Sequence, residues 1–247
     1  MPSTLGIVSS GYYSAGGGAS SISAVSYAYS EPASSTPGNY TFTIDPTSLV
    51  AASGGFPSGK PNGQDRICLL VICDAGNKHN SPLGAPSGTG WTYESAKSFV
   101  ASSWNFDFYT RQCAGSGGTP TSDSAYTVSS GGNGWGFVVA WAYRGASAGI
   151  QAVSQPGSCT NSALTLPALT TVNTNELILC LGVVFGSGIT GGAQSFGTTD
   201  RLNNSLSGYT NYSVHYTQAT AGSTGTKTVT YTGSSLINLC DLQIAIA

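Results

Sequence analysis

Charge is what this chain has least of. Only 7% of its 247 residues are Asp, Glu, Lys or Arg, where an average soluble protein has about 25%. Eight basic residues stand against ten acidic ones, and the basic ones are scattered. Nucleic-acid binding needs grouped cations to neutralise phosphates, so no nucleic-acid partner is expected. A surface this poor in charge must stay wet through hydroxyl, amide and glycine groups, or be covered by partner subunits.

Other signals are missing too. No apolar run reaches the roughly 18 residues a membrane-spanning helix needs, so no membrane partner is expected. The opening stretch "MPSTLGIVSSGYYSAGGG" has neither a basic n-region nor an apolar h-region, which predicts synthesis in a cytoplasm without conventional export. There is no C-x-x-C, and His79 and His215 stand alone, so no metal or cofactor is expected. Both histidines read as ordinary surface or turn residues. Helical periodicity is almost absent.

What is present is alternation. "YTFTI" (40–44), "FDFYTR" (106–111), "WGFVVAWAYRG" (135–145), "YSVHYTQ" (212–218) and "KTVTYT" (227–232) place aromatic or β-branched residues at every second position, the mark of half-buried strands. Three further runs, "ICLLVIC" (67–73), "LILCLGVVF" (177–185) and "INLCDLQIAIA" (237–247), are apolar on both faces and predict central strands. The first two resemble each other and suggest equivalent positions in two halves of one Greek-key sandwich; no longer internal repeat is visible. The fold class expected is all-β, an antiparallel β-sandwich of jelly-roll or Greek-key type with an extended N-terminal arm. Residues 1–65, rich in Gly and Ser with one strand near 40–44, form the arm; residues 66–247 form the sandwich body. Tyr12, Tyr13, Tyr27 and Tyr29 in the arm are candidate interface anchors, because Tyr is enriched at interfaces.

Six cysteines occur. Cys68, Cys73, Cys180 and Cys240 lie in apolar runs, where free Cys behaves as a small hydrophobe. Cys113 and Cys159 lie in polar sequence and are the candidate disulfide pair.

Three chemical motifs fail on their context. Gly186, Gly188 and Gly191 match G-x-G-x-x-G after an apolar run, but no amphipathic helix follows and no acid stands about 20 residues on. With 34 glycines, such matches arise by abundance, and these are expected to form a loop where the strand leaves its sheet. Ser147 sits in a G-x-S-x-G match that lacks the helix of a nucleophile elbow. Glu94, Asp107, Glu176 and Asp241 are the acids available for glycoside hydrolysis, which requires two at a set separation. Trp91, Trp104 and Tyr109, near Glu94 and Asp107, are candidate glycan-binding rings.

The order of landmarks carries a resemblance. "GWT" (90–92), an aromatic strand ending "FYTR", then "GWGFVVAWAYRG" and "LTLPALTTVNTNELILCLGV" resemble a β-sandwich domain that recurs in virion proteins of tailed bacteriophages. The likeness covers residues 66–247 and brings no catalytic residues. It implies a non-enzymatic, jelly-roll-like module that decorates or builds a virion, and does not imply head or tail; within that class capsid decoration or cement is the first expectation and a tail or fibre component the second. The partners implied are copies of itself and the major capsid or tail proteins, with location in the virion after synthesis in the host cytoplasm. A module binding host-surface glycans or receptors is the alternative, and a polysaccharide-degrading enzyme the last.

Overall fold

The structure is a computed structural model that describes residues 6–8, 22–30, 41–44, 65–74, 86, 90–101, 104–112, 126–129, 136–144, 149–155, 157–159, 162–206 and 209–247. All regular structure among these residues is β-strand, so the fold is all-β. The strands are β1 (Gly6–Val8), β2 (Ser23–Ser30), β3 (Thr41–Ile44), β4 (Asp65–Asp74), β5 (Thr92–Tyr93), β6 (Phe99–Ala101), β7 (Trp104–Gln112), β8 (Tyr126–Ser129) and β9 (Gly136–Arg144). They continue with β10 (Ile150–Val153), β11 (Ser158–Cys159), β12 (Ala163–Leu166), β13 (Thr170–Thr171), β14 (Glu176–Ala193), β15 (Thr198–Leu206), β16 (Tyr209–Gln218), β17 (Gly222–Ser223) and β18 (Lys227–Ile246).

These strands divide into two compact units, β1–β9 and β10–β18, with the boundary between Gly149 and Ile150; Ile22 belongs with the second. In unit 1 an antiparallel sheet runs β1-β2-β9-β4-β7-β5, with β6 also on β7, and β3 pairs with β8. In unit 2 the order is β11-β12-β18-β14-β16-β15, with β10 also on β18, and β13 pairs with β17. The segment read as an arm therefore supplies β1 and β2 to a seven-stranded sheet, and β3 to a pair with β8.

The apolar runs take the central places their composition predicts. β4 lies between β9 and β7, and β14 lies between β18 and β16. Along β14, Leu177, Ile178, Leu179, Cys180 and Leu181 are all fully buried, on both faces. One face carries Ile178 and Cys180 into a cluster with Leu164, Leu166, Tyr212, Val214, Val229, Tyr231 and Ala245. Burying a side chain of this size stabilises by about 1.5–3 kcal/mol.

The glycine stretch departs from expectation. Gly186 to Gly192 is not a loop: β14 continues to Ala193, paired with β18 through register shifts between Val183 and Gly192. Glycine accommodates the backbone of such bulges, where the ladder is interrupted and the strand bends. A strand with bulges, and no helix, also removes the nucleotide reading.

Candidate functional site

The residues that drew attention in the sequence meet on β5 and β7. Tyr93 is the cross-strand partner of Tyr109, and Thr92 of Thr110. Paired residues share a face, and alternate residues of a strand point the same way. One face of this strand pair therefore carries Tyr93, Asp107 and Tyr109, and the other carries Glu94, Phe108 and Thr110.

On the first face the Tyr93 and Tyr109 rings lie 5.2 Å apart, and the Tyr93 hydroxyl donates to Asp107 Oδ1 at 3.0 Å. Asp107 is buried. Burial, and secondarily the negative charge of Asp107, raise the Tyr93 pKa above its usual value, so this phenol stays a proton donor. On the second face Thr110 Oγ1 donates to Glu94 Oε1 at 2.6 Å. A tight turn follows, in which the amides of Lys97 and Ser98 both donate to the Glu94 carbonyl. Ser98 Oγ donates to the same carbonyl and accepts from Phe108 N. Phe99 stacks on Phe106 at 4.7 Å.

This geometry corrects two expectations. Glu94 and Asp107 point to opposite sides of the sheet, so they cannot flank one glycosidic bond. Of the other acids, Glu176 is buried and bonded to Asn173 through Oε1. Asp241 is buried opposite Gly182, six residues along β14 from Glu176, roughly 20 Å at the usual rise per residue. Tyr109 is 1% exposed; its face is covered and cannot take a sugar ring. Trp91 is half-buried just before β5, and Trp104 opens β7 opposite Asp74.

The remaining candidates are scattered. Tyr27 and Tyr29 lie in β2, opposite Trp141 and Val139 of β9. Tyr12, Tyr13, Cys113, Ser147 and His79 lie outside the described residues. Cys159 is in β11, and Cys180 is buried in β14 and not in a disulfide. His215 is a buried residue of β16, not a surface one. Among the described residues no three His, Cys, Asp or Glu side chains group as a metal site, and no helix is long and apolar enough to cross a membrane.

Unit 2 holds a patch that sequence reasoning missed. Gln243 is fully buried; its Nε2 donates to the carbonyls of Pro167 and Gly225 at 2.9 Å each, and its Oε1 accepts from the Tyr216 hydroxyl at 2.8 Å. The Tyr216 ring meets Phe196 edge-on at 6.0 Å. Lys227 Nζ stands over both, 5.1 Å from the Tyr216 centroid and 5.8 Å from that of Phe196. Burial drives the Tyr216 pKa well above the usual phenol range. Nothing in the local sequence announces this patch, because its members come from four separate segments.

Comparison with family models, with curated proteins and with solved structures returns no match.

Proposed function

We propose that the chain is a non-enzymatic structural protein of a tailed-phage virion, with capsid decoration or cement as its role. The observation that carries this reading is strand order. Within the seven-stranded sheet of unit 1 the order β2-β9-β4-β7, with β3-β8 paired apart from it, is compatible with part of a jelly-roll arrangement, a fold that recurs in viral capsid and lectin domains. Two further features support it. The charge-poor Ser/Thr/Gly surface suits a protein largely covered by neighbours, and the acids best placed for hydrolysis are separated or facing apart.

On this reading the partners are other copies of the chain and the major capsid proteins; a tail or fibre position is the second choice. The lectin alternative loses its most central ring, since Tyr109 is buried. The test is composition of the particle. Phage particles recovered from cells that make the chain are expected to contain it in many copies, placed on the head by immunogold microscopy. Recovery only in the particle-free lysate would sink the proposal, and labelling of the tail would move the role to the second choice.

A further inference from the structure

The strand order of unit 1 recurs in unit 2. β2-β9-β4-β7-β5 corresponds to β10-β18-β14-β16-β15, and the pair β3-β8 corresponds to β12 with the first part of β18. Order alone is weak, since all-β folds reuse few topologies. Register is a stricter criterion, because a slip of one residue turns every side chain to the other face.

Register agrees across four strand pairs. In β3-β8, Thr41, Phe42, Thr43 and Ile44 face Ser129, Val128, Thr127 and Tyr126. In unit 2, Ala163, Leu164, Thr165 and Leu166 face Thr230, Val229, Thr228 and Lys227. The sequences on these ladders are "TFTI" with "YTVS" and "ALTL" with "KTVT". In the central sheet, Leu69 lies between Tyr109 and Ala140, and Ile178 lies between Tyr216 and Ala245. Around those rows "FYT" (108–110) matches "HYT" (215–217), and "FVVAWA" (137–142) matches "LQIAIA" (242–247).

The outer strand extends the same row. Ala28 faces Ala140, and Ala152 faces Ala245; one residue on, Tyr29 faces Val139 and Val153 faces Ile244. From these alanines the chain reads "AYSEPAS" (28–34) and "AVSQPGS" (152–158). Sequence echoes on separate strands thus fall on the same rows of one alignment.

We propose that residues 26–144 and 150–247 are two copies of one unit, joined by tandem duplication, and that each folds as its own cooperative module. Any surface that one module offers therefore has a counterpart in the other, and a partner meets two diverged versions of one face. The inference does not depend on the virion reading.

The test uses the full chain and two probes. All four tryptophans, Trp91, Trp104, Trp135 and Trp141, precede residue 150, so their emission reports unit 1 alone, while far-UV circular dichroism reads both units. Gly182→Ala in unit 2 is expected to split the dichroism melt, lowering one midpoint by on the order of 10 °C and moving the tryptophan midpoint by less than about 2 °C. Phe108→Leu is expected to do the reverse. If both variants shift both probes together in one transition, the two-module proposal is overturned. Register is tested by cysteine pairs in the full chain with peptide mapping after mild oxidation. Thr43→Cys with Thr127→Cys, and Thr165→Cys with Thr228→Cys, are both expected to cross-link. Cross-linking of one unit only at a pair shifted by one residue would overturn the duplication.

Discussion

Tyr109 and Tyr216 hold the same place in the two units, and their surroundings treat them in opposite ways. Tyr109 is sealed, with Tyr93 beside it and the buried Asp107 two residues before it on the same face. Tyr216 is half-exposed, its hydroxyl tied to the Gln243 amide and its ring roofed by Lys227. The counterpart of Gln243 in unit 1 is Val138, which faces Ser30 as the Gln243 carbonyl accepts from Ser154 N, while the Gln243 backbone amide donates to the Ser154 side-chain Oγ. Backbone pairing is thus held in both units while the polar chemistry around one tyrosine has been rebuilt. The strand row specifies the fold; the groups at its ends are free to diverge.

The largest expected effect tests how strict the row is. Gly182 faces Tyr212 on β16, and an added Cβ would sit inside the space of the Tyr212 ring, with Leu164 Cδ1 2.9 Å away. Gly182→Val is expected to cost about 3 kcal/mol, the upper part of the range for overpacking. At the counterpart position unit 1 already carries a side chain, Cys73. There Cys73→Val, a smaller change, is expected to cost less than about 1.5 kcal/mol. Urea unfolding of both variants makes the comparison; equal losses would break it.

That glycine also shows what the sequence made legible. Alternation in "YTFTI", "FDFYTR" and "YSVHYTQ" located β3, β7 and β16, and doubly apolar runs located β4, β14 and β18 as central strands, because burial of one or both faces writes directly into residue order. The separation of Glu94 from Asp107 was not legible, since alternation makes Tyr93 and Glu94 point apart but only the register that pairs Tyr93 with Tyr109 decides which of them shares a face with Asp107. The continuation of β14 through Gly186–Gly192 was not legible: bulges are stabilised by pairing with β18, a partner far along the chain. The repeat was hidden for a related reason. Its echoes are a few residues long, and the spacing between counterparts differs from strand to strand because the loops differ in length, so only the pairing brings them into register.

The next effect separates the two tyrosine settings. Tyr93→Phe removes a hydrogen bond to a buried carboxylate, a class of bond worth about 1.5–3 kcal/mol, and partial exposure of Tyr93 places it at the lower end. Tyr216→Phe removes a bond to a neutral amide, worth about 0.5–1.5 kcal/mol. Chemical denaturation read by tryptophan emission is expected to register the first, and far-UV dichroism the second. A Tyr216→Phe loss larger than that of Tyr93→Phe would reverse the assignment of which site is the more costly to unpair.

Alkaline pH offers a smaller and more selective handle. Both phenols have folded-state pKa values raised above the unfolded value, chiefly by burial. Their contribution to stability is therefore complete below the unfolded pKa of about 10 and is lost as pH rises above it, where the unfolded chain ionises first. The shift is the larger at Tyr216. Stability measured from pH 9 to pH 11 is expected to fall less steeply for Tyr216→Phe than for the parent chain, with the change confined to the unit 2 transition. An unchanged slope would mean that Tyr216 ionises in the folded chain as readily as in the unfolded one.

Lys227 provides the smallest expected effect and the most direct view of divergence. Its ammonium lies over two rings at 5.1 and 5.8 Å, and such contacts contribute about 0.5–1 kcal/mol at partly exposed sites. Lys227→Gln is expected to lose about 0.5 kcal/mol from unit 2, and Lys227→Arg to retain it, because the guanidinium also stacks on aromatic faces. The register supplies a third substitution. Lys227 faces Leu166 as Tyr126 faces Ile44, so Lys227→Tyr installs the residue that unit 1 carries on the same rung. If the two units are copies of one scaffold, that ring is accepted with a cost no greater than that of Gln, since an aromatic neighbour replaces the cation beside Phe196 and Tyr216. A loss well beyond that of Lys227→Gln would mean that the surroundings of this rung, and not only its side chain, differ between the units.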